Sequence, residues 1–287
     1  VTNLMNIYNQ NASLMLSACG LAMVMISGGI DLSIGYMASL CGIVAAMLMK
    51  NMNVNFIVSI IAAILVGTLC GALNGILSNK LKIHTMIVTL ATMTLFQGLS
   101  YIISQSKSFS SLPAAFKFIG QGYLGNLPVS IFALIAIVAV VSFILNKTHY
   151  GRYVYAIGGN PDAAHLAGIN VERVRLRTFA LNGALVGLAA VLLISRSGSA
   201  SSAMGTSLQF DSITACILGG VSFTGGSGKV SNAVLGVLCL GVLSNGMQLI
   251  GWGIYVQYVV KAILLVIAIA FDMYTKNKVL ADDAANG

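Results

Sequence analysis

Asp31 is the acidic residue whose setting most needs an explanation, because it stands between two apolar runs in the sequence SGGIDLSIG at 27–35. A carboxylate at the centre of a membrane helix costs about 2.5–3.5 kcal/mol. Unwound backbone at that depth is tolerated only where it is buried in protein or lines a cavity. Two interpretations stay open. Asp31, with Gly28, Gly29 and Ser33, forms a helix break near a transport path, or Asp31 caps the helix that follows.

A second acidic residue, Asp211, opens an apolar run that contains the pair Gly219-Gly220. An acidic side chain at a helix start favours the positive end of the helix dipole, so the sequence predicts that Asp211 caps its helix. Lys261 lies two turns inside the last apolar run, within reach of an interface for its long side chain. An ion pair between Asp211 and Lys261 is the alternative, and both Asp211 and the glycine pair are candidate pathway or helix-break residues.

Other chemistry-bearing patterns are incomplete. The sequence FTGGSGKV at 223–230 resembles a P-loop, but Phe223 stands where the first glycine is required and Val230 where the Ser or Thr is required. His84, His149 and His165 are widely separated and have no metal-ligand spacing. We therefore expect no catalytic, cofactor or metal residues in this chain. ATP and Mg²⁺ would be bound by a partner.

Composition indicates what must position these residues. Of 287 residues, 57% are hydrophobic and 8% are charged, with a mean hydropathy of +0.92. Soluble domains carry roughly a quarter charged residues, because water must solvate their surface. The net charge of +8 is not arranged in basic runs with interleaved aromatics, so nucleic-acid binding is not expected. The sequence predicts an all-α, polytopic membrane protein that forms a single transmembrane domain over residues 1–287, and not a soluble enzyme.

Apolar runs long enough to cross a bilayer of roughly 30 Å predict nine spans. Ten Lys and Arg residues fall in one set of connections and four in the other, so we place the former set in the cytoplasm. That set includes the loop at 146–175 and the tail at 274–287. An odd number of spans then puts residue 1 outside, and the complete protein would have about ten helices. The spans are 12–28, 31–49, 56–79, 83–104, 126–146, 176–195, 208–224, 230–250 and 254–273.

The loop at 146–175 contains a short segment with strong helix-boundary signals. Asn160 is predicted to cap a helix that begins at Pro161, and Gly168 is predicted to end it in a left-handed conformation. A short capped helix there is either a docking element or an ordinary connector. The segment comprises Gly158, Gly159, Asn160, Pro161, Asp162, Ala163, Ala164, His165, Leu166, Ala167 and Gly168.

Small residues recur at four-residue spacing in two of the predicted spans. Gly67, Gly71 and Gly75 share one helix face, and Gly183 and Gly187 share another. Stripes of this kind let neighbouring membrane helices approach closely, so a packing role is predicted for them.

The chain resembles the permease subunits of ribose-type ABC monosaccharide importers. The resemblance is carried by SGGIDLSIG at 27–35, by 151–200, which begins GRYVYAIGGNPDAAHLAGINVERVRL, and by FDSITACILGGVSFTGGSGK at 210–229. It continues through NGMQLIG at 245–251 and VVKAILLVIAIAFD at 259–272. These motifs follow one another in order along almost the whole chain.

This resemblance implies a type II importer-like fold in a bacterial cytoplasmic membrane. It also implies a homo- or heterodimer of permeases, an ATPase with two nucleotide-binding cassettes, and an extracytoplasmic sugar-binding protein. The segment at 158–168 would be the coupling helix that contacts the ATPase. Where the family has a proline-containing run, this chain has KIHTMIVTL at 82–90, which puts the particular sugar in doubt. The alternative function is an ion-coupled secondary transporter of a small polar solute, which would need intramembrane acidic relays.

Overall fold

The computed structural model describes residues 2–286, apart from the side chains at 2–4, 277 and 279–286. Within this part the chain is almost entirely helical. The elements are α1 (Thr2–Ile26), α2 (Ile34–Asn51), α3 (Phe56–Leu81), α4 (Thr85–Ser104), α5 (Ala114–Gln121), β1 (Tyr123–Leu124), β2 (Leu127–Pro128), α6 (Val129–Lys147), α7 (His149–Gly159), α8 (Pro161–Leu166), α9 (Val171–Ser197), α10 (Thr206–Leu218), α11 (Val230–Leu249) and α12 (Ile254–Asn286).

α1 is the central helix, and every residue from Ala12 to its end at Ile26 is buried. It packs against α9, α10, α11 and α6, while α12 lies at the periphery. A helix surrounded by protein on all sides can be apolar around its whole circumference. The core of the bundle is therefore built around α1, and the last helix presents most of its surface outward.

The two glycine stripes face each other across α3 and α9. A Cβ atom at Gly71 would overlap the carbonyl oxygen of Phe179, and one at Gly67 would overlap that of Gly183. A Cβ at Gly187 would lie 2.6 Å from the carbonyl oxygen of Ala63. We call this contact the glycine interface. It brings the two backbones closer than any side chain would permit.

Seven helices of the described chain are long and apolar enough to cross a membrane: α2, α3, α4, α6, α9, α11 and α12 over Ile254–Lys276. α1 has 25 residues and is not among them. The span predicted at 208–224 is not one continuous helix. α10 has 13 residues, about 20 Å of helix, and it is followed by a loop at 219–229.

Other boundaries also differ from the predictions. The loop at 146–175 is mostly helical, since it contains α7 as well as α8. The predicted tail at 274–287 continues α12 as far as Asn286. The predicted all-α class is confirmed, and the short hairpin of β1 and β2 around Gly125, whose φ is +63°, is a minor addition to it.

Candidate functional site

The segment between α1 and α2 is a helix break, with residues 27–33 outside regular helix. α4 supplies the hydrogen bonds that a helix would otherwise provide. The backbone N–H of Ile30 donates to the Thr85 hydroxyl at 3.0 Å, and that of Leu32 donates to the Thr89 hydroxyl at 3.1 Å. Buried backbone groups must be paired, so these two threonines explain how the break persists inside the bundle.

Asp31 lies in this break and is completely buried, with 0% of its surface exposed. Its Oδ1 accepts hydrogen bonds from the backbone N–H of Ser33 at 2.9 Å and from the Ser33 hydroxyl at 2.6 Å. Its Oδ2 accepts from Nδ2 of Asn182 at 2.9 Å, and Nδ2 of Asn74 lies 3.5 Å from both oxygens. These donors are neutral, and they bind Asp31 from α3, α9 and the start of α2. Asp31 thus bonds Ser33, the residue that precedes α2, and ties the helix break to α3 and α9.

Asn74 and Asn182 were missed as functional candidates in the sequence. Both are fully buried. Asn74 also donates to the Ser33 hydroxyl at 2.8 Å and accepts from the Thr92 hydroxyl at 2.6 Å. Oδ1 of Asn182 has no partner among the described residues. An available signal was that each asparagine precedes a glycine of the packing stripes, at Asn74-Gly75 and Asn182-Gly183. An amide in an apolar span needs a partner inside the protein.

Three glycine-rich segments meet on one side of this break. A Cβ at Gly158 would overlap the carbonyl oxygen of Ile26, to which the N–H of Gly226 donates at 2.9 Å. A Cβ at Gly225 would lie 2.7 Å from Cα of Gly28, and one at Gly226 would lie 2.9 Å from Cα of Gly159. We call this contact of residues 28, 158–159 and 225–226 the glycine junction. It places the end of α7, the helix break and the loop at 219–229 in direct backbone contact, and α8 begins two residues after Gly159.

The loop at 219–229 is also attached to α7 and α12. The Tyr155 hydroxyl donates to the carbonyl of Gly228 at 2.8 Å. The backbone N–H of Phe223 donates to Asp272 at 3.0 Å, and Lys276 donates to the Thr224 hydroxyl. Gly219 caps the end of α10, and Gly220 follows with a φ of +75°. The glycine pair predicted as a break therefore ends α10 and begins this anchored loop.

α8 follows directly from the glycine junction and has the caps predicted from sequence. The Asn160 side chain accepts from the N–H groups of Asp162 and Ala163, and Gly168 has a φ of +83°. Leu166 is 87% exposed, whereas Ala164 is only 5% exposed and packs into the protein. Asp162, Ala163, His165 and Ala167 are exposed as well. The face of α8 that could meet another protein is therefore centred on Leu166.

The prediction that Asp211 caps its helix is wrong, because Asp211 is the sixth residue of α10 and lies beyond the first turn. Instead, Nζ of Lys261 donates to Oδ2 of Asp211 at 2.9 Å. This is the ion pair that the sequence left as an alternative. Within the described residues, no three His, Cys, Asp or Glu side chains form a group that could hold a metal ion.

These features, a polytopic helical bundle with a buried helix break joined to a short capped helix, fit the family that matches the chain. A family model described as the permease component of a branched-chain amino acid transport system matches residues 3–269. The chain belongs to this family of ABC import permeases. It is a multi-pass membrane protein and a transport subunit, not an enzyme.

Curated relatives define the branch of the family. The ribose import permease protein RbsC of Haemophilus influenzae is 36% identical over 98% of this chain and 88% of its own length. RbsC of Bacillus subtilis is 39% identical over 94% of this chain and 84% of its own length. The L-arabinose transport system permease protein AraH of Escherichia coli is 38% identical over 90% of this chain and 78% of its own length. The resemblance stated from the sequence motifs is thereby confirmed. No solved structure matches the chain.

Proposed function

We propose that this chain is the membrane-spanning permease subunit of an ATP-driven importer that moves ribose or a related simple sugar into the bacterial cytoplasm. The similarity to ribose and arabinose permeases along nearly the whole chain supports a monosaccharide as the transported solute. The complete subunit would have a type II importer-like fold with about ten helices.

The observation that carries this proposal is the position of α8. An exposed, capped helix can transmit a force only if a partner protein binds it. α8 begins two residues after Gly159 of the glycine junction. There Gly158 and Gly159 contact the end of α1, Gly28 and the loop at 219–229. A displacement of α8 would therefore act on the helix break without an intervening flexible side chain. We assign the segment at 158–168 as the coupling helix that contacts the ATPase.

The proposed assembly is the one expected of an ABC import permease. It comprises a second permease subunit, an ATPase with two nucleotide-binding cassettes, and a sugar-binding protein outside the membrane. ATP and Mg²⁺ would be bound by the ATPase. The excess of basic residues near α8 and at the end of α12 supports a cytoplasmic location for both. Trp252, Tyr255 and Tyr258, exposed at the start of α12, would then lie at the external interface.

An ion-coupled mechanism is not favoured. The relatives are permease components of importers. Asp31 is enclosed by neutral donors and has no access to solvent in this conformation. A proton carrier needs a route by which protons reach the carboxylate, so Asp31 is better explained as the residue that holds the helix break.

The proposal is tested by changing the exposed centre of α8. Leu166→Arg should reduce retention of the ATPase by roughly thirtyfold, because loss of an apolar anchor at the centre of a contact costs about 2 kcal/mol. Retention is measured by purifying the membrane complex in detergent and quantifying the ATPase. ATP-dependent uptake of D-ribose into vesicles, with ion gradients collapsed by ionophores, is measured in parallel.

Leu249→Arg is the matched control, since Leu249 is 76% exposed and lies at the end of α11 that would be on the other side of the membrane. It should leave retention of the ATPase unchanged. Equal retention in the Leu166→Arg complex would show that α8 is an ordinary connector. Uptake that depends on an ion gradient instead of ATP would contradict the importer assignment itself.

A further inference from the structure

α10 and α12 enclose an open cleft with a volume of about 560 Å³. We call it the α10–α12 cleft. Its polar lining comes from Thr206, Ser207, Asp211 and Thr214 on α10 and from Tyr258 and Lys261 on α12. The volume lies within the range of small-molecule sites, roughly 300–1,000 Å³, and such sites combine apolar walls with a few polar groups.

A partly exposed ion pair lines this cleft. The side chains of Lys261 and Asp211 are 18% and 20% exposed, so the pair is neither sealed in the core nor free on the surface. Lys261 lies in the stretch Ile254–Lys276, which is apolar enough to cross a membrane. Ionised side chains in such stretches face protein or a water-filled cavity, because lipid tails cannot solvate them. The α10–α12 cleft is the open space that adjoins this pair, and water in it would solvate the exposed parts of the two side chains.

The chemistry of the lining matches a sugar. Within the described residues the pair makes a single hydrogen bond, from Nζ to Oδ2, which leaves Oδ1 of Asp211 and two N–H groups of Lys261 for a ligand. Phe210 and Tyr258, which also line the cleft, are 58% and 52% exposed. A monosaccharide presents hydroxyl groups, which both donate and accept, and C–H faces, which pack on aromatic rings. Charged groups make the stronger hydrogen bonds to such hydroxyls.

We propose that the α10–α12 cleft is the sugar-contacting part of the transport path, with Asp211 and Lys261 binding sugar hydroxyls and Phe210 and Tyr258 packing on the ring. This inference rests on the proposed function, which supplies the substrate class and the orientation. In that orientation the ion pair lies in the external half of the membrane, where a sugar released by the binding protein enters. The second permease subunit would form the opposite wall.

The first test measures water and sugar access. Ser207→Cys, at the cleft, and Ile263→Cys, exposed on α12 outside the cleft lining, are made in a Cys239→Ser background, because the other four cysteines are buried. A charged, water-soluble thiol reagent should label Ser207→Cys and not Ile263→Cys. D-ribose, L-arabinose or D-galactose, whichever the complex transports, should slow the labelling. An unlabelled Ser207→Cys, or labelling that no transported sugar slows, overturns the proposal.

The second test separates contact with the sugar from a structural role. Asp211→Asn and Lys261→Met should each lower ATP-dependent uptake by about tenfold or more, the effect of losing a charge-assisted hydrogen bond. The exchanged pair, Asp211→Lys with Lys261→Asp, restores the ion pair but interchanges donor and acceptor positions. It should keep a normal protein yield and should not restore uptake. Recovery of uptake in the exchanged variant would show that the pair is only structural.

These outcomes can be told apart from failure of the proposed function. If the unaltered complex takes up none of the three sugars with ATP, the assignment as a sugar importer is wrong. If it takes up one of them and the labelling of Ser207→Cys is insensitive to that sugar, only the assignment of the cleft is wrong.

Discussion

Asp31 and Asp211 look alike in the sequence, since each is a lone carboxylate in an apolar region, yet their surroundings in the structure are opposite. Asp31 is fully buried, and both of its oxygens are occupied by neutral donors from three helices. Asp211 is partly exposed, has one charged partner, and faces an open cleft. A carboxylate whose two oxygens both bond to buried protein donors holds structure, whereas one with a free oxygen can still bind a ligand.

The difference arises from how the helices around each residue pack. The glycine interface lets α3 and α9 approach so closely that Asn74 and Asn182 both reach Asp31. α10 and α12 leave a space between them, which is lined by larger side chains such as Phe210, Tyr258 and Lys261. Close helix packing thus makes Asp31 part of the folded core, whereas looser packing leaves one oxygen of Asp211 free to bind a ligand. The three predictions below test this contrast, from the largest expected effect to the smallest.

Gly71→Leu should abolish folding, because even a Cβ at this position would overlap the carbonyl oxygen of Phe179. α3 and α9 would have to separate, at a cost above the roughly 1–3 kcal/mol typical of overpacking. Asp31 would then lose its amide donors. The measurement is the amount of monodisperse protein after detergent extraction. Gly98→Leu on α4 is the control, since nothing among the described residues lies within 4 Å of its Cβ. Equal yields from the two variants would refute the close contact.

Asp31→Leu should strongly reduce the yield of folded protein, because it leaves the Ser33 and Asn182 donors unpaired, at about 1–3 kcal/mol for each buried group. Asp31→Asn should retain most of the yield. Its carbonyl oxygen can still accept from Ser33. Its amide can donate to Oδ1 of Asn182, which has no partner among the described residues, once the Asn182 amide has rotated to turn that oxygen toward residue 31.

Asp211→Leu is the comparison that sharpens this prediction, because its partner Lys261 remains partly exposed to water. It should keep a normal yield and lose sugar uptake. Yield is measured after extraction, and uptake in reconstituted vesicles. The contrast between the two carboxylates fails if Asp211→Leu reduces the yield as much as Asp31→Leu does.

Thr89→Val should destabilise the protein by about 1–3 kcal/mol, because the buried N–H of Leu32 loses its acceptor while the side-chain shape is kept. The effect is smaller than that of Asp31→Leu, where several donors are left unpaired. The matched control is Thr94→Val on the same helix. Its exposed hydroxyl bonds only Ala91 of its own helix, so the change should stay within about 0.5 kcal/mol. Both are measured as shifts in the thermal transition in detergent, and equal shifts would argue against support of the break by α4.

Features encoded by neighbouring residues could be predicted from the sequence. The apolar runs predicted most of the long helices, since bilayer thickness fixes their length. The caps of α8 were predicted because Asn160, Pro161 and Gly168 act on the backbone within a few residues. The motifs at 27–35, 151–200 and 210–229 predicted the family, which the comparisons confirmed. The error at 208–224 arose because hydropathy does not distinguish a spanning helix from a short helix followed by a partly buried loop.

The sequence by itself determined the class of protein, the approximate spans and the capped helix, because composition, periodicity and capping are local properties of the chain. Only the tertiary structure decided which groups meet. Asn182 is 151 positions from Asp31, and Lys261 is 50 positions from Asp211. The glycine junction joins segments near residues 28, 158 and 225. Such pairings depend on how each helix is rotated and how closely it approaches its neighbours. Backbone contacts between glycines far apart in the sequence help to fix this geometry, and no local sequence pattern predicts it. For that reason two similar carboxylates became a structural anchor and an open polar site.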